Sequence, residues 1–198
     1  MSTSTKSGYH HGDLRAASLA TAMRMLEAGE QFSLRAVSRE AGVSPTALYR
    51  HFTDRDALES ALAAAGLRDL LADLTAHEEP PATAEDLGDL AVAYVDFALR
   101  RPALFRVMFT NACDEGNEQR VEAAGRIHSL LESAMARVFP GGDAKALAAA
   151  GWAFAHGMAC LYADGKLTAR STEEVPDHVR AALAALLAIR SAQSPTPD

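Results

Sequence analysis

SLRAVSREAGVSPTALYRHF, residues 33–52, decides the fold of the N-terminal part of this chain. It reads as two short helices about a tight turn: Ser33–Ala41, then Gly42–Val43–Ser44, then a second helix from Pro45 to about Phe52. Each boundary has a chemical reason. Ser33 and Ser44 suit the cap positions, because a serine hydroxyl accepts from the unpaired N–H groups of a first helical turn. Gly42 supplies the left-handed backbone that ends a helix, and Pro45 fits the first helical position, where no N–H is needed. At roughly 100° per residue, Leu48 and Phe52 share the inner face of the second helix with Pro45 beside them. Thr46 and Arg50 lie opposite, flanked by Ala47 and Tyr49. Leu34, Val37 and Ala41 make an apolar stripe on the first helix. This is the outline of a helix-turn-helix, in which the second helix enters the DNA major groove. Its outer face offers a guanidinium, a phenol and a hydroxyl, which suit base edges and phosphates.

The flanking sequence extends the unit. Gly12–Glu30 is amphipathic, with Leu19, Met23 and Leu26 on one side, and completes a three-helix arrangement. After Phe52, Thr53 followed by Asp56 is a capping-box pattern, and Leu58 and Leu62 continue at i,i+4. Arg55 then stands at a helix start, where a basic side chain and free N–H groups together suit a phosphate.

These segments, YHHGDLRAASLATAMRMLEAG and FSLRAVSREAGVSPTALYRHFTDRDAL, resemble the N-terminal domain of the TetR family of bacterial transcription regulators over about Tyr9 to Leu62. The resemblance implies DNA contacts at Thr46, Ala47, Tyr49, Arg50 and His51, joined by Ser33 and Arg35, with Arg55 as a phosphate anchor. Arg55 stands where lysine is more usual in the family, and Asp54 and Asp56 put negative charge beside it.

Composition is compatible with that reading. The chain has 198 residues, room for one domain and a small second one. Alanine is abundant and glycine and proline fall at breaks, which favours an all-α fold. The net charge of −7 is unevenly spread. Residues 1–52 hold six Lys/Arg against four Asp/Glu, a balance of +2, which leaves −9 for the remainder. Phosphate binding depends on local charge, so a basic head on an acidic body is consistent with it. Cys113 and Cys160 are far apart and form no metal or redox spacing, which points to small buried thiols in a reduced, cytoplasmic protein. The N-terminus lacks the apolar core of a signal peptide. Ala146–Ala163 carries no formal charge over 18 residues, but it is mostly Ala and Gly with His156 in the middle, and reads as a buried bundle helix rather than an anchor.

The remainder predicts further helices: Leu87–Arg101 after a Thr83/Asp86 cap, Ala103–Ala112 after Pro102, Gln119–Phe139, Ala144–Tyr162 and Asp177–Ile189, about nine helices in all. The expected domains are a disordered head at 1–8, the DNA-binding unit at 9–62, a helical regulatory and dimerisation bundle at 63–190, and a disordered tail at 191–198. WAFAHGMACLYADGKL, Trp152–Leu167, resembles a C-terminal domain type of one TetR branch that places a Trp and a His-Gly pair on one helix. That resemblance implies a two-fold helical dimer interface, for which Gly157, Val175, Val179, Leu183 and Leu186 are the candidates. It also implies a small-molecule site among the central helices, with Tyr94, Phe97, Phe105, Met108, Phe109, Trp152 and His156 as candidate lining. Arg106, Asn111 and His128 are further polar groups of that region.

The function expected is a homodimeric repressor of a palindromic operator, released by a small-molecule effector. An activator or effector-independent regulator with the same head is the alternative. A helical-bundle enzyme is more remote: no nucleophile–base pair, phosphate loop or paired-carboxylate motif stands out, and no catalytic residue, cofactor, metal or membrane contact is expected.

Overall fold

The computed structural model describes residues 11–76, 79–110, 116–169, 171 and 173–191. All regular structure among them is helical, as the composition predicts. The helices are α1 (His11–Glu27), α2 (Leu34–Glu40), α3 (Pro45–Tyr49), α4 (Arg55–Leu74), α5 (Ala84–Arg100), α6 (Pro102–Thr110), α7 (Glu118–Val138), α8 (Ala144–Ala163) and α9 (Glu174–Ser191). The expected head at 1–8 and tail at 191–198, with Asn111 and Cys113, lie outside the described residues apart from Ser191.

The turn forms as its residues dictate. Ser33 Oγ accepts the Ala36 N–H at 3.1 Å and Ser44 Oγ the Ala47 N–H at 3.2 Å. Gly42 takes φ +68°. Its N–H donates to the Arg39 carbonyl (3.2 Å) and the Val43 N–H to the Ser38 carbonyl (2.9 Å), the paired closure of a Schellman motif. The second helix is shorter than expected, ending at Tyr49, although Phe52 N–H still donates to the Leu48 carbonyl at 3.0 Å.

Leu19, Met23 and Leu26 of α1 pack against the head core as expected, beside the more deeply buried Ser18, Thr21, Ala22 and Met25. Two local expectations are corrected. Pro45 is exposed rather than inward, since it stands at the first helical position, away from the core that Leu48 enters. The cap of α4 is Asp54, not Thr53. Its Oδ1 accepts the Ala57 N–H at 2.8 Å, and Thr53 Oγ1 donates to Asp54 Oδ2 at 3.2 Å. A carboxylate is the stronger acceptor, so it takes the cap. At α5 the Thr83/Asp86 capping box forms as expected.

Two cores result. One joins α1–α3 and the start of α4 around Val37, Leu48, Phe52, Leu58 and Leu62. The other fills the body, with Leu70, Val95, Phe97, Leu104 and Val179 among its most buried side chains. α4 runs unbroken through both: Leu62 belongs to the first and Ala63 to the second. Gly66 allows α6 to come close to α4, because a Cβ there would stand 2.6 Å from Met108 Sδ.

The junction is also held by charge. Arg101, at the α5–α6 corner, donates from Nε to Glu27 of α1 and from Nη1 to Asp69 of α4, both at 2.6 Å, with its guanidinium 5.7 Å from the centre of the Phe97 ring. Arg100 beside it bridges Asp73 and Asp96.

Candidate nucleic-acid interface and effector cavity

α3 separates its faces as the sequence predicts. Leu48 is fully buried and Phe52 nearly so, while Thr46, Tyr49 and Arg50 are exposed and Ala47 and His51 are half-buried. Tyr49 is 44% exposed, unusual for a large aromatic ring with a core nearby. Arg35 is exposed at the start of α2, next to Ser33, whose hydroxyl is engaged in capping. Arg55 is exposed on the first turn of α4, but its Nε donates to Glu59 at 2.7 Å and its guanidinium lies 5.3 Å from the Phe32 ring centre. A phosphate there has to compete with Glu59. Asp54 is occupied by its capping bond, which reduces its claim on Arg55.

In the body, a cavity of about 210 Å³ opens between α4, α5, α6, α7 and α8. Of the residues expected to line it, Tyr94, Met108, Phe109 and Trp152 do so, joined by His128. Phe97 does not. It is 1% exposed and packs beneath Arg101 at the junction. Phe105 and His156 stand one layer behind: Phe105 meets Tyr94 edge-on at 5.8 Å, and His156 meets Phe109 at 4.7 Å. Arg106 is exposed away from the cavity. A second, smaller apolar space of about 40 Å³ shares Tyr94, Ile127, Leu131 and Trp152 with the first, so these four form a partition.

A directed hydrogen-bond chain runs along that partition. Trp152 Nε1 donates to the Tyr94 hydroxyl (3.2 Å), which stands 2.9 Å from His156 Nδ1, and His156 Nε2 lies 3.5 Å from Cys160 Sγ. Since the tryptophan can only donate, the tyrosine donates onward to Nδ1, which leaves the imidazole proton on Nε2.

Residues 19–62 match the family described as bacterial regulatory proteins, tetR family. Residues 87–188, more than half the chain, match the tetracyclin repressor-like C-terminal domain. The chain belongs to the TetR family. It is therefore a DNA-binding transcriptional regulator. Among solved structures, this TetR-family chain is similar to a protein of unknown function from Rhodococcus sp. RHA1, at 36% identity and TM-score 0.74, covering 90% of this chain and 97% of that one. A TetR transcriptional regulator from the same organism shares the fold at 21% identity (TM-score 0.55, 90% and 98% covered). So does NalD, the secondary repressor of the MexAB-OprM multidrug efflux pump in Pseudomonas aeruginosa, at 21% identity (TM-score 0.56, 87% and 94% covered). No curated protein matches the chain.

Sequence reasoning about this regulator missed two arginines. Arg120 is 4% exposed and lines the cavity. Its register was available: Arg120, Ala124, Ile127 and Leu131 fall on one face of α7 at spacings of four, three and four. Arg101 had no such signal, because its partners Glu27 and Asp69 are distant in sequence.

The hydrogen-bond chain makes two predictions. Tyr94→Phe leaves the Trp152 N–H and His156 Nδ1 without their partner, at a cost of about 1–3 kcal/mol in urea unfolding. Burial holds His156 below its ordinary imidazole value of 6.5, so the unfolded chain takes up this proton at higher pH than the folded one. Stability contributed by the neutral ring is present above pH 6.5 and is lost as the pH falls through the folded value. Tm measured from pH 7.5 down to 5 should fall more steeply for the native protein than for His156→Gln.

Proposed function

We propose that this TetR-family chain is a homodimeric repressor that leaves a palindromic operator when a small molecule fills the cavity. The observation that carries the dimer is α8. It is long and apolar enough to cross a bilayer, with a mean hydropathy of 1.3, yet only 22% of its apolar window is buried within the chain. The expectation of a buried bundle helix is thus corrected. Ala155 and Ala159 pack inward, while Ala146, Ala149, Ala150 and Ala153 are exposed, Gly157 has open space above it and Leu161 is 43% exposed. An apolar stripe of small side chains along one helix face suits close approach of a second helix.

α9 divides in the same way, and the candidate interface changes with it. Val175, Val179 and Leu183 are buried within the chain, where α9 packs on α5, so they are not available to a partner. Leu186 is 52% exposed, and Ala181, Ala184, Ala185 and Ala188 are exposed as well. We assign the interface to this outer face of α9 together with the Gly157 face of α8. Two heads then reach successive major grooves, about 34–36 Å apart, on a palindromic site.

α6 supplies the route from cavity to head. Met108 and Phe109 line the cavity, while the adjacent Val107 packs against the head core and Arg101 ties the corner to Glu27. A ligand that displaces Met108 therefore acts on α1. That NalD, a neighbour in fold, is a repressor supports the sign of regulation. Footprinting on the DNA upstream of the chain's own gene tests the reading: two protected half-sites about one helical turn apart are expected, and a single half-site would refute it.

A further inference from the structure

Among the described residues that line the larger cavity, the polar side chains are engaged within the protein. Trp152 donates to Tyr94 and Tyr94 to His156, so both donors are directed along the partition, and burial pushes the Tyr94 phenol up, keeping it neutral. The Arg120 guanidinium, on a residue 4% exposed, is held by protein partners, the Met108 carbonyl at 3.0 Å among them. His128 stands at the exposed rim, where its Nδ1 donates to the Ala124 carbonyl at 2.8 Å. Burying a charge is costly unless a partner meets it. An anion in the cavity would have to draw Arg120 away from its partners, and a cation would be repelled by the same buried guanidinium. A ligand without charge meets neither cost.

The remaining lining sets shape and size. Leu67, Leu70, Ala124 and Leu131 are aliphatic, and Tyr94, Phe109 and Trp152 present aromatic surface. The Phe109 and Trp152 centroids lie 6.5 Å apart with the rings tilted by 46°, and the His128 ring meets Trp152 edge-on at 5.3 Å. Rings in such a setting favour edge and tilted contacts with another ring. Met108, unbranched and flexible, lets the wall toward α6 follow the ligand's shape. An apolar cavity of about 150 Å³ accommodates benzene, so about 210 Å³ suits a ligand of roughly eight to ten non-hydrogen atoms.

We propose that the cavity binds a neutral, apolar molecule of this size built on one aromatic ring, the ring packed among Tyr94, Phe109 and Trp152. The proposal rests on the effector-responsive reading of the body given above, and names the class of effector.

Trp152 is the single tryptophan of the chain and lines the cavity, so its fluorescence reports occupancy. Titration of the full-length protein with ethylbenzene, benzoate and benzylamine, at a neutral pH where the last two are ions, tests the proposal. Ethylbenzene should change the Trp152 emission saturably and bind roughly tenfold or more tightly than either ion, because an ion has to leave water for an apolar wall. Equal or tighter binding of either ion overturns the neutral assignment, and absence of ethylbenzene binding overturns the proposal. Benzene and cyclohexane test the ring. Once each is corrected for its transfer from water to octanol, benzene should bind severalfold more tightly, and equal corrected binding overturns the aromatic assignment. Ala124→Phe, which fills the cavity from α7, should abolish ethylbenzene binding in calorimetry; binding that survives it places the site elsewhere and refutes the proposal. Should Ala124→Phe fail to fold, the native protein decides: calorimetric binding of ethylbenzene with no change in Trp152 emission equally refutes it. Operator binding is measured separately without ligand. Operator binding with no ethylbenzene binding overturns this inference alone, whereas ethylbenzene binding with no effect on the operator complex supports the site and overturns effector release.

Discussion

Replacing Tyr49 and Arg50 together by alanine should abolish operator binding while leaving the fold intact. Both side chains are exposed, Tyr49 at the end of α3 and Arg50 at its C-cap, so their removal opens no cavity. Arginine and tyrosine at the outer face of a recognition helix contact bases or phosphates, and a good base contact is worth about 1–3 kcal/mol. Loss of two such contacts in each half of a dimer lowers affinity by several orders of magnitude. Mobility-shift titration should show no specific complex at protein concentrations that saturate the native complex, and Tm should move by no more than a degree or two. The salt dependence adds a second readout. Native binding should weaken steeply between 50 and 200 mM salt (about 10³-fold or more for a protein making several phosphate contacts). A double variant that binds as tightly as the native protein would remove α3 from the reading of DNA.

Ala153→Glu should convert the protein to a monomer. Ala153 lies on the outward stripe of α8 with Ala146, Ala150 and Gly157. A carboxylate there would have to be buried against a second copy of the same helix without a cation to meet it, and an unpaired buried charge costs several kcal/mol. Light scattering should give a mass near the 21.0 kDa of one chain, where twice that is expected of the native protein. Operator affinity should fall about 10²- to 10⁴-fold, because the two heads no longer share an effective concentration. Ala136→Glu, the same change at an exposed position of α7, should leave mass and affinity unaltered. A dimeric Ala153→Glu protein would show that the pairing face lies elsewhere.

The head was legible in sequence because its determinants are local. Ser33, Gly42, Ser44 and Pro45 act within four residues of themselves, through caps and a left-handed turn, so the order of residues is enough to place them. Where two local candidates competed, as Thr53 and Asp54 did for the cap of α4, the pattern alone chose the weaker acceptor. The cavity was legible only in part. Tyr94, Met108, Phe109 and Trp152 announce themselves as large side chains in the central helices, but Phe97 has the same character and faces the junction instead. That difference depends on how α5 is rotated against α4 and α6, which no single helix encodes. Arg101 depends on partners 74 and 32 residues away. The outer stripes of α8 and α9 were read as apolar, but which residues turn inward is settled by the packing of both helices on α5.

The continuity of α4 has a consequence for anyone who recombines such regulators. Residue 62 marks the end of the family's N-terminal match, and it looks like a seam at which one reading head could be exchanged for another. In this protein the seam falls inside a 20-residue helix, between Leu62, which completes one core, and Ala63, which begins the next. A chimera spliced there would inherit the rotation of the donor helix, and an insertion of one residue would turn everything beyond it by about 100°. Gly66 would then leave Met108, and Asp69 would leave Arg101. A splice after Leu74, where the helix has ended, avoids that rotation, but the α4 contacts with the body, Gly66 on Met108 and Asp69 with Arg101 among them, have to be rebuilt together with Glu27–Arg101 and the Val107 contact. The unit that can be transplanted is therefore the head together with its full connecting helix.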